Sequence, residues 1–195
     1  MSDVVQQGDF AVRINTPYGY STKIPNSYRP FFQLKDGATY SIVLANDGPT
    51  KADAQVFVDG QDCGLFRIEA HSNNIVEHPQ FINKKFTFKS AKNFAESSYE
   101  GNEEPQNGKI SVLFTPEKNS KSNPPTTAIP YEVRESNTKL EGQSGYTPDV
   151  NYSLYDAGTT VLGQEGIPYT AMVAPITDID NGRIAIVDAW LVVKK

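Results

Sequence analysis

Residues 36–88 constrain the fold of this chain most strongly, because short runs with an apolar side chain at every second position are separated by turn residues. Residues 40–44 form one such run and residues 54–58 form the next. A period of two places successive side chains on opposite faces of a pleated sheet. Asp59 and Gly60 follow the second run and favour a tight hairpin turn. The segment therefore predicts a β meander.

The rest of the chain has the composition of an all-β protein. Among its 195 residues there are ten Tyr and ten Phe, with 13 Pro and 14 Gly spread along the sequence. Aromatic residues favour strands, and Gly and Pro mark turns. One short helix is expected within residues 90–99. The further strand candidates are residues 10–14, 64–68, 74–77, 86–88, 110–115, 160–163, 169–173 and 183–193.

About ten strands in one chain predict two packed sheets, which is a β-sandwich of jelly-roll-like type. The last strand, RIAIVDAWLVV at residues 183–193, is expected to be buried and to tie the sheets together. The side chains expected on the inner faces are Tyr40, Ile42, Leu44, Val56, Val58, Phe66, Ile68, Phe86, Phe88, Ile110, Val112, Phe114, Ile184 and Ile186.

Two segments differ in character from this predicted domain, which spans residues 34–195. Residues 1–33 contain one short strand pattern followed by proline-broken sequence, which predicts an N-terminal extended arm. Residues 116–150 are polar and predict a long loop. The arm carries aromatic residues that either cover its own domain or anchor an intermolecular contact. These candidate interface residues are Tyr18, Tyr20, Tyr28, Phe31 and Phe32.

Charge and hydropathy exclude several classes of partner. The formal net charge is −5, and the densest basic cluster, Lys84, Lys85, Lys89 and Lys92, is short. Nucleic-acid binding is therefore disfavoured. No run is long and apolar enough to predict a membrane span, and residues 1–10 lack the apolar centre of a signal peptide. We expect synthesis in the cytoplasm without secretion by a signal peptide.

The residue types that bind metals do not form a recognisable motif. His71 and His78 lie near Glu69 and Glu77, but six intervening residues match no helical zinc spacing, and both histidines are expected at the surface. Asp178 to Asp180 resembles part of a calcium loop without its distal glutamate, so an Asp-rich turn is the favoured reading and a weak calcium site the alternative. Cys63 is the only cysteine and is expected to be a buried apolar residue.

No motif for nucleophilic, phosphate-binding or dinucleotide chemistry occurs in the sequence. Nothing in the sequence pairs two carboxylates for acid–base catalysis either. We therefore predict a protein that is not an enzyme and that uses no cofactor. A small hydrolase with an unrecognised site is an alternative to this prediction.

Four segments of the chain form a recognisable set: DGATYSIVLANDGPTKADAQVFVDGQDCGLFRI, FTF at residues 86–88, NGKISVLFTPE and GTTVLGQ. Together they resemble a little-characterised β-rich family of large DNA viruses of algae and protists, with related copies in some microbial genomes. The resemblance covers roughly residues 12–114 and 158–193. The chain departs from the family pattern at His78-Pro79, where Arg-Pro is usual, and at Ile167-Pro168-Tyr169, which replaces Gln-x-Phe.

This resemblance implies a minor capsid or virion-surface component, and the family offers no catalytic residues to transfer. We expect a structural protein that forms homo-oligomers or binds other structural subunits. The alternative is a carbohydrate-binding sandwich, in which Tyr18, Tyr20 or Trp190 stacks on a glycan.

Overall fold

The structure, a computed structural model, describes residues 3–27, 29–90, 107–119, 155–169 and 172–194. These residues form twelve β-strands, and their one helical element is a 3-10 turn at Asn181–Arg183. The strands are β1 (Val5–Gln7), β2 (Phe10–Thr16), β3 (Gly19–Tyr20), β4 (Phe31–Gln33), β5 (Ser41–Asn46), β6 (Ala52–Val58), β7 (Gln61–Ile68), β8 (Ser72–Val76), β9 (Lys84–Ser90), β10 (Lys109–Pro116), β11 (Tyr155–Glu165) and β12 (Ala185–Lys194).

The strands assemble into two sheets. A five-stranded sheet has the order β1-β2-β5-β8, and β3 pairs with β2. A seven-stranded sheet has the order β7-β6-β10-β12-β11-β9, and β4 pairs with β12 in parallel. The all-β, sandwich-like fold expected from the sequence is therefore confirmed. The jelly-roll-like connectivity stays a prediction.

The core lies between the two sheets and is built from the inward-facing parity of each strand. Phe10 of β2 stacks on Phe114 of β10 with ring centroids 4.7 Å apart, which joins the two layers directly. Tyr40, just before β5, stacks on Phe86 of β9 at 5.5 Å. All the predicted inner-face residues from Tyr40 to Phe114 are buried. Pleated alternation thus predicts the core correctly in β5, β6, β7, β9 and β10.

Strand β12 shows the opposite parity from the one predicted. Ile184 and Ile186 are 40% and 55% exposed, whereas Ala185 and Val187 are buried. Both parities of this run are largely apolar, so alternation alone does not decide which side faces the core. A one-residue change of register moves every side chain to the other face. The predicted inward positions of Ile184 and Ile186 are therefore wrong.

The predicted meander is correct in its strands but wrong in its pairing. β5 belongs to the five-stranded sheet, and β6 and β7 belong to the seven-stranded sheet. The loop between β5 and β6 therefore crosses from one layer to the other. The hairpin between β6 and β7 is confirmed, with positive φ angles of 52° at Asp59 and 76° at Gly60. Such angles match the tight turn that Asp-Gly favours.

The N-terminal segment expected to be an arm contributes strands to both sheets. β2 lies between β1 and β5, and its side chains Phe10, Val12 and Ile14 are buried in the core. β4 pairs with β12. The described part of residues 1–33 is therefore built into the domain, because alternating apolar residues gain most by joining an existing sheet.

Several other expectations meet the structure only in part. Residues 160–163 lie within β11, as predicted. Tyr169, Met172 and Val173 are not in a strand. The expected helix falls outside the described residues from residue 91 onward, and Ser90 ends β9. Most of the predicted 116–150 loop also lies outside them, and Pro116 is the last residue of β10.

The outermost strands of the seven-stranded sheet have their backbone groups covered. Residues 37–40 run along β9, and Tyr40 N–H donates to the Phe86 carbonyl at 3.1 Å. At β7, the Gln80 side-chain oxygen accepts from Leu65 N–H at 3.2 Å, and the Asn74 amide donates to the Arg67 carbonyl at 3.0 Å. Covered edges do not template strand addition, so the faces of the sheets are the better contact surfaces.

Candidate interaction surfaces

The outer face of the seven-stranded sheet carries an apolar strip. Strand pairing places Ile186 opposite Leu113, Leu113 opposite Gln55 and Gln55 opposite Leu65. Side chains directly opposite each other in antiparallel strands share a face. We define the outer strip as Leu65, Phe57, Leu113 and Ile186, which share the outward parity of their strands, together with Ile184, which directly precedes β12. The polar side chain of Gln55 lies between Leu65 and Leu113.

One end of the outer strip is closed by a segment that crosses the sheet. The buried carboxylate of Asp53 accepts from Arg67 Nε at 2.7 Å and from Ile176 N–H at 2.7 Å. Arg67 Nη2 also donates to the Ala174 carbonyl at 2.7 Å. The hydrogen bond to Asp53 is the main cause that raises the pKa of Arg67. This ion pair therefore anchors residues 174–176 over β6 and β7.

The other end of the outer strip is charged and aromatic. Lys109 Nζ lies 3.4 Å from the Asp188 carboxylate and 5.5 Å from the centroid of the Trp190 ring. The Arg29 guanidinium carbon lies 4.8 Å from the same ring, and Phe31 contacts it edge-on at 6.4 Å. Cation–π contacts of this kind hold the indole in place. Two cations and the Phe31 ring therefore contact the half-buried indole, which leaves little of its surface for stacking on a sugar.

The outer face of the five-stranded sheet carries a polar row. Tyr20 of β3 lies opposite Asn15 of β2, and Asn15 lies opposite Ser41 of β5. Glu77 directly follows β8, where Val76 pairs with Ile42, so its position extends the row beside Ser41. We call Tyr20, Asn15, Ser41 and Glu77 the polar ledge.

A groove of about 160 Å³ runs along this ledge. It is lined by Asn15, Ser41, Glu77 and Lys85, with Thr16, Pro17, Thr39 and Tyr40. Lys85 Nζ and the Glu77 carboxylate form an ion pair at 3.2 Å. The lining thus offers an amide, hydroxyls, one carboxylate and one ammonium group. Such a set donates and accepts hydrogen bonds within a small space.

The predicted interface aromatics occupy different environments. Tyr18 is 94% exposed and Tyr20 is 49% exposed, both in the hairpin between β2 and β3. Phe31 is half-buried against Trp190. Phe32 is fully buried, because it lies opposite the inward-facing Leu191, so it offers no surface to a partner. Tyr28 lies outside the described residues.

The two histidines are not brought together. His71 is exposed in the turn between β7 and β8, where its φ is 52°. His78 is 1% exposed, so its predicted surface position is wrong. Its Nδ1 lies 2.8 Å from the Pro79 carbonyl oxygen and its Nε2 lies 2.7 Å from that of Ile167. Both neighbours are carbonyl acceptors, so the ring nitrogen that carries the proton donates a hydrogen bond to one of them, and the Tyr169 ring packs against the imidazole with centroids 4.3 Å apart.

The other candidate metal ligands are also separate or engaged. Within the described ranges, no three His, Cys, Asp or Glu side chains form a group that could hold a metal ion. Asp180 accepts from Gly182 N–H at 3.1 Å and from Arg183 Nε at 2.8 Å. The hydrogen bond from Arg183 is the main cause that lowers the pKa of Asp180. The oxygens of Asp180 therefore serve the Asp-rich turn, which was the favoured reading.

Cys63 is buried, as predicted. Burial is the main cause that raises the pKa of its thiol to about 12. A thiol in this state is not the nucleophilic thiolate. The side chain is therefore structural.

The part of the chain that the structure describes contains no helix that is long and apolar enough to cross a membrane.

Comparisons with known proteins found no match. No family model, curated protein or solved structure matches the sequence or the fold.

Proposed function

We propose that this chain is a non-enzymatic structural protein that self-associates through the outer strip. We further propose that it serves as a minor capsid or virion-surface component of a large DNA virus. The outer strip is the observation that carries self-association. The sequence resemblance described above supports the virion role.

The outer strip has the chemistry of an interface centre. Ile186 keeps 55% of its surface exposed on the outer sheet face, and Ile184, directly before β12, keeps 40%. Covering the remaining exposed part of such a side chain stabilises an assembly by roughly 1 kcal/mol. Leu65, Phe57 and Leu113 are half-buried neighbours on the same face. Gln55 is the polar side chain that lies between Leu65 and Leu113, and an apolar patch of this kind, rimmed by polar groups, is typical of protein contact sites.

A second copy of the chain is the partner that suits this surface. Two-fold association places the same patch on both subunits, so an apolar strip meets an apolar strip. The charged groups at its two ends are already paired within the chain, as Lys109 with Asp188 and Arg67 with Asp53. Docking therefore does not require unpaired charges to be buried.

Light scattering at increasing protein concentration tests self-association. The wild type is expected to form dimers or larger assemblies. Ile186→Lys is expected to remain monomeric, because the ammonium group that it introduces would be buried at the contact. Ile75→Lys is the matched control, since Ile75 is 48% exposed on the outer face of the other sheet.

Two outcomes would overturn the self-association proposal. One is a wild type that stays strictly monomeric at high concentration. The other is equal dissociation by Ile75→Lys and Ile186→Lys. The virion role is tested separately by protein mass spectrometry of purified particles of the source virus. Absence of the chain from those particles would refute that role.

A further inference from the structure

We propose that the polar ledge binds a neutral oligosaccharide. This inference does not depend on the outer strip, because the ledge lies on the other sheet. The polar ledge combines one exposed aromatic ring with a row of hydrogen-bonding side chains. We define the ligand by that chemistry alone.

The length of the polar ledge suits a chain of sugar rings. Tyr20, Asn15, Ser41 and Glu77 stand on or directly after four neighbouring strands, β3, β2, β5 and β8. Neighbouring strands lie about 4.8 Å apart, so the row spans about 14 Å. That distance exceeds one pyranose ring. An extended oligosaccharide lying across the strands would therefore reach from Tyr20 to Glu77, and it would meet Ser41, which is only 8% exposed, through the groove.

Tyr20 supplies the aromatic end of the row. Its ring is 49% exposed, and the Arg13 guanidinium carbon lies 5.6 Å from the ring centroid. This cation–π contact restrains the ring while much of its surface stays accessible. Aromatic rings offer a large rigid surface, at low entropic cost, to the apolar C–H face of a sugar.

The groove supplies the polar contacts. A sugar hydroxyl is both a donor and an acceptor, so a recognition site needs both kinds of partner close together. Glu77 and Lys85, 3.2 Å apart, place an acceptor beside a donor, which suits two adjacent hydroxyl groups. The Asn15 amide and the Ser41, Thr16 and Thr39 hydroxyls extend this pattern along the groove.

The charge of the groove favours a neutral ligand. Glu77 and Lys85 neutralise each other, and the other lining residues carry no charge. A further cation, Arg13, lies over the Tyr20 ring and does not line the groove, so a phosphate or a sulfated sugar in the groove would lack an unpaired cation. The ion pair and the volume of about 160 Å³ also disfavour a lipid chain.

Binding is tested on the wild-type chain with a panel of purified hexasaccharides. The neutral probes are cellohexaose, xylohexaose, mannohexaose and chitohexaose, and a heparin hexasaccharide is the anionic probe. We expect at least one neutral probe to shift the backbone amide resonances of residues 13–20, 41 and 77, and the heparin probe to have no effect. Calorimetry then gives the affinity.

Two substitutions locate the site. Tyr20→Ala should weaken binding of that probe about tenfold, which corresponds to about 1.4 kcal/mol. Glu77→Gln keeps the side-chain shape but removes the ion pair, and should weaken binding by a smaller factor. Phe81→Ala is the control, because Phe81 is 73% exposed in a different loop, and it should leave binding unchanged.

Three results would overturn this inference. They are the absence of binding of any neutral probe by the folded wild type at millimolar concentration, tighter binding of the anionic probe, and equal loss in Tyr20→Ala and Phe81→Ala. Ile186→Lys should bind the sugar normally. Failure of self-association and failure of sugar binding are thereby distinguishable.

Discussion

The side chain of Asp59 accepts a 2.6 Å hydrogen bond from the backbone N–H of Thr160, which lies in β11, 101 residues later in the chain. The same carboxylate accepts from Gly108 N–H at 2.6 Å and from the Thr159 hydroxyl at 2.8 Å. One turn residue therefore ties the hairpin of β6 and β7 to the start of β10 and to β11.

Asp59→Ala should lower the free energy of unfolding by about 2–3 kcal/mol, because two backbone donors lose their acceptor in a partly buried place. Asp36→Ala is the matched control. Asp36 also accepts from a distant backbone N–H, that of Ser90 at 2.7 Å, but this bond is exposed. Its loss should be well under half as large. Equal losses in urea unfolding would contradict the structural role of Asp59.

The pKa values of Asp59 and Asp180 should be shifted in opposite directions from that of an ordinary aspartate. Burial raises the pKa of Asp59, whereas the Arg183 guanidinium lowers the pKa of Asp180. Carboxyl carbon shifts followed by NMR should therefore place the Asp59 midpoint above that of Asp180. The reverse order would show that the burial of Asp59 is misjudged.

The same shifts fix how stability depends on pH. Because the pKa of Asp59 is raised in the folded protein, its protonation stabilises the fold. This contribution is complete at pH values below the pKa of an ordinary aspartate, and it is lost as the pH rises through the folded-state pKa. The contribution of Asp180 is present above the ordinary value and is lost as pH falls through its lowered pKa. The stability gap between wild type and Asp59→Ala should accordingly widen as the pH is lowered from neutral.

Gly158→Ala should destabilise the fold by about 1–3 kcal/mol through overpacking. A Cβ at this position would lie 1.9 Å from Cε2 of Phe88, a ring with no exposed surface. Gly182→Ala is the control, because the nearest neighbour of its Cβ would be the Asp180 carboxylate at 3.4 Å. Thermal unfolding of both variants separates the two cases. Similar melting temperatures would argue against close packing of β9 on β11.

Cys63 should resist thiol reagents in the native protein at mildly alkaline pH. It is buried, and its pKa of about 12 leaves almost no thiolate. Absorbance with a chromogenic disulfide should show no reaction until urea unfolds the chain. Native reaction as fast as that of the unfolded chain would contradict the burial.

The strands were predictable from the sequence, but their assignment to sheets was not. Alternation along residues 40–44 and 54–58 reports which side chains share a face, and both runs are strands with the predicted inner residues. Nothing local to either run states which layer it joins. That choice depends on long-range pairing, such as β5 with β2 and β6 with β10.

One signal in β12 was available and indicates the correct parity. Asp188 has the same parity as Ile184 and Ile186, and a carboxylate is costly to bury. That charge places the even-numbered residues outside, where Asp188 pairs with Lys109. The inward side then carries Ala185, Val187, Ala189 and Leu191, all of which are buried in the core.

The candidate surfaces were only partly visible in the sequence. Tyr20 was predicted as an interface residue from its place among prolines and aromatics. Its neighbours on the polar ledge depend on the pairing of Asn15 with Ser41, a contact between strands far apart in the chain. The burial of His78 was likewise hidden, because its partners are backbone carbonyls of Pro79 and Ile167.

Self-association through the outer strip is tested most directly by site-specific cross-linking. Ser111 lies on the outer face between Asp188 and Phe57, and Ser111→Cys adds a reactive thiol there while Cys63 stays buried. Asn73→Cys is the control, on the outer face of the five-stranded sheet. A short bis-maleimide should give covalent dimers of Ser111→Cys, and adding Ile186→Lys should abolish them. A Ser111→Cys chain that remains monomeric, or an Asn73→Cys chain that cross-links equally well, would contradict this interface.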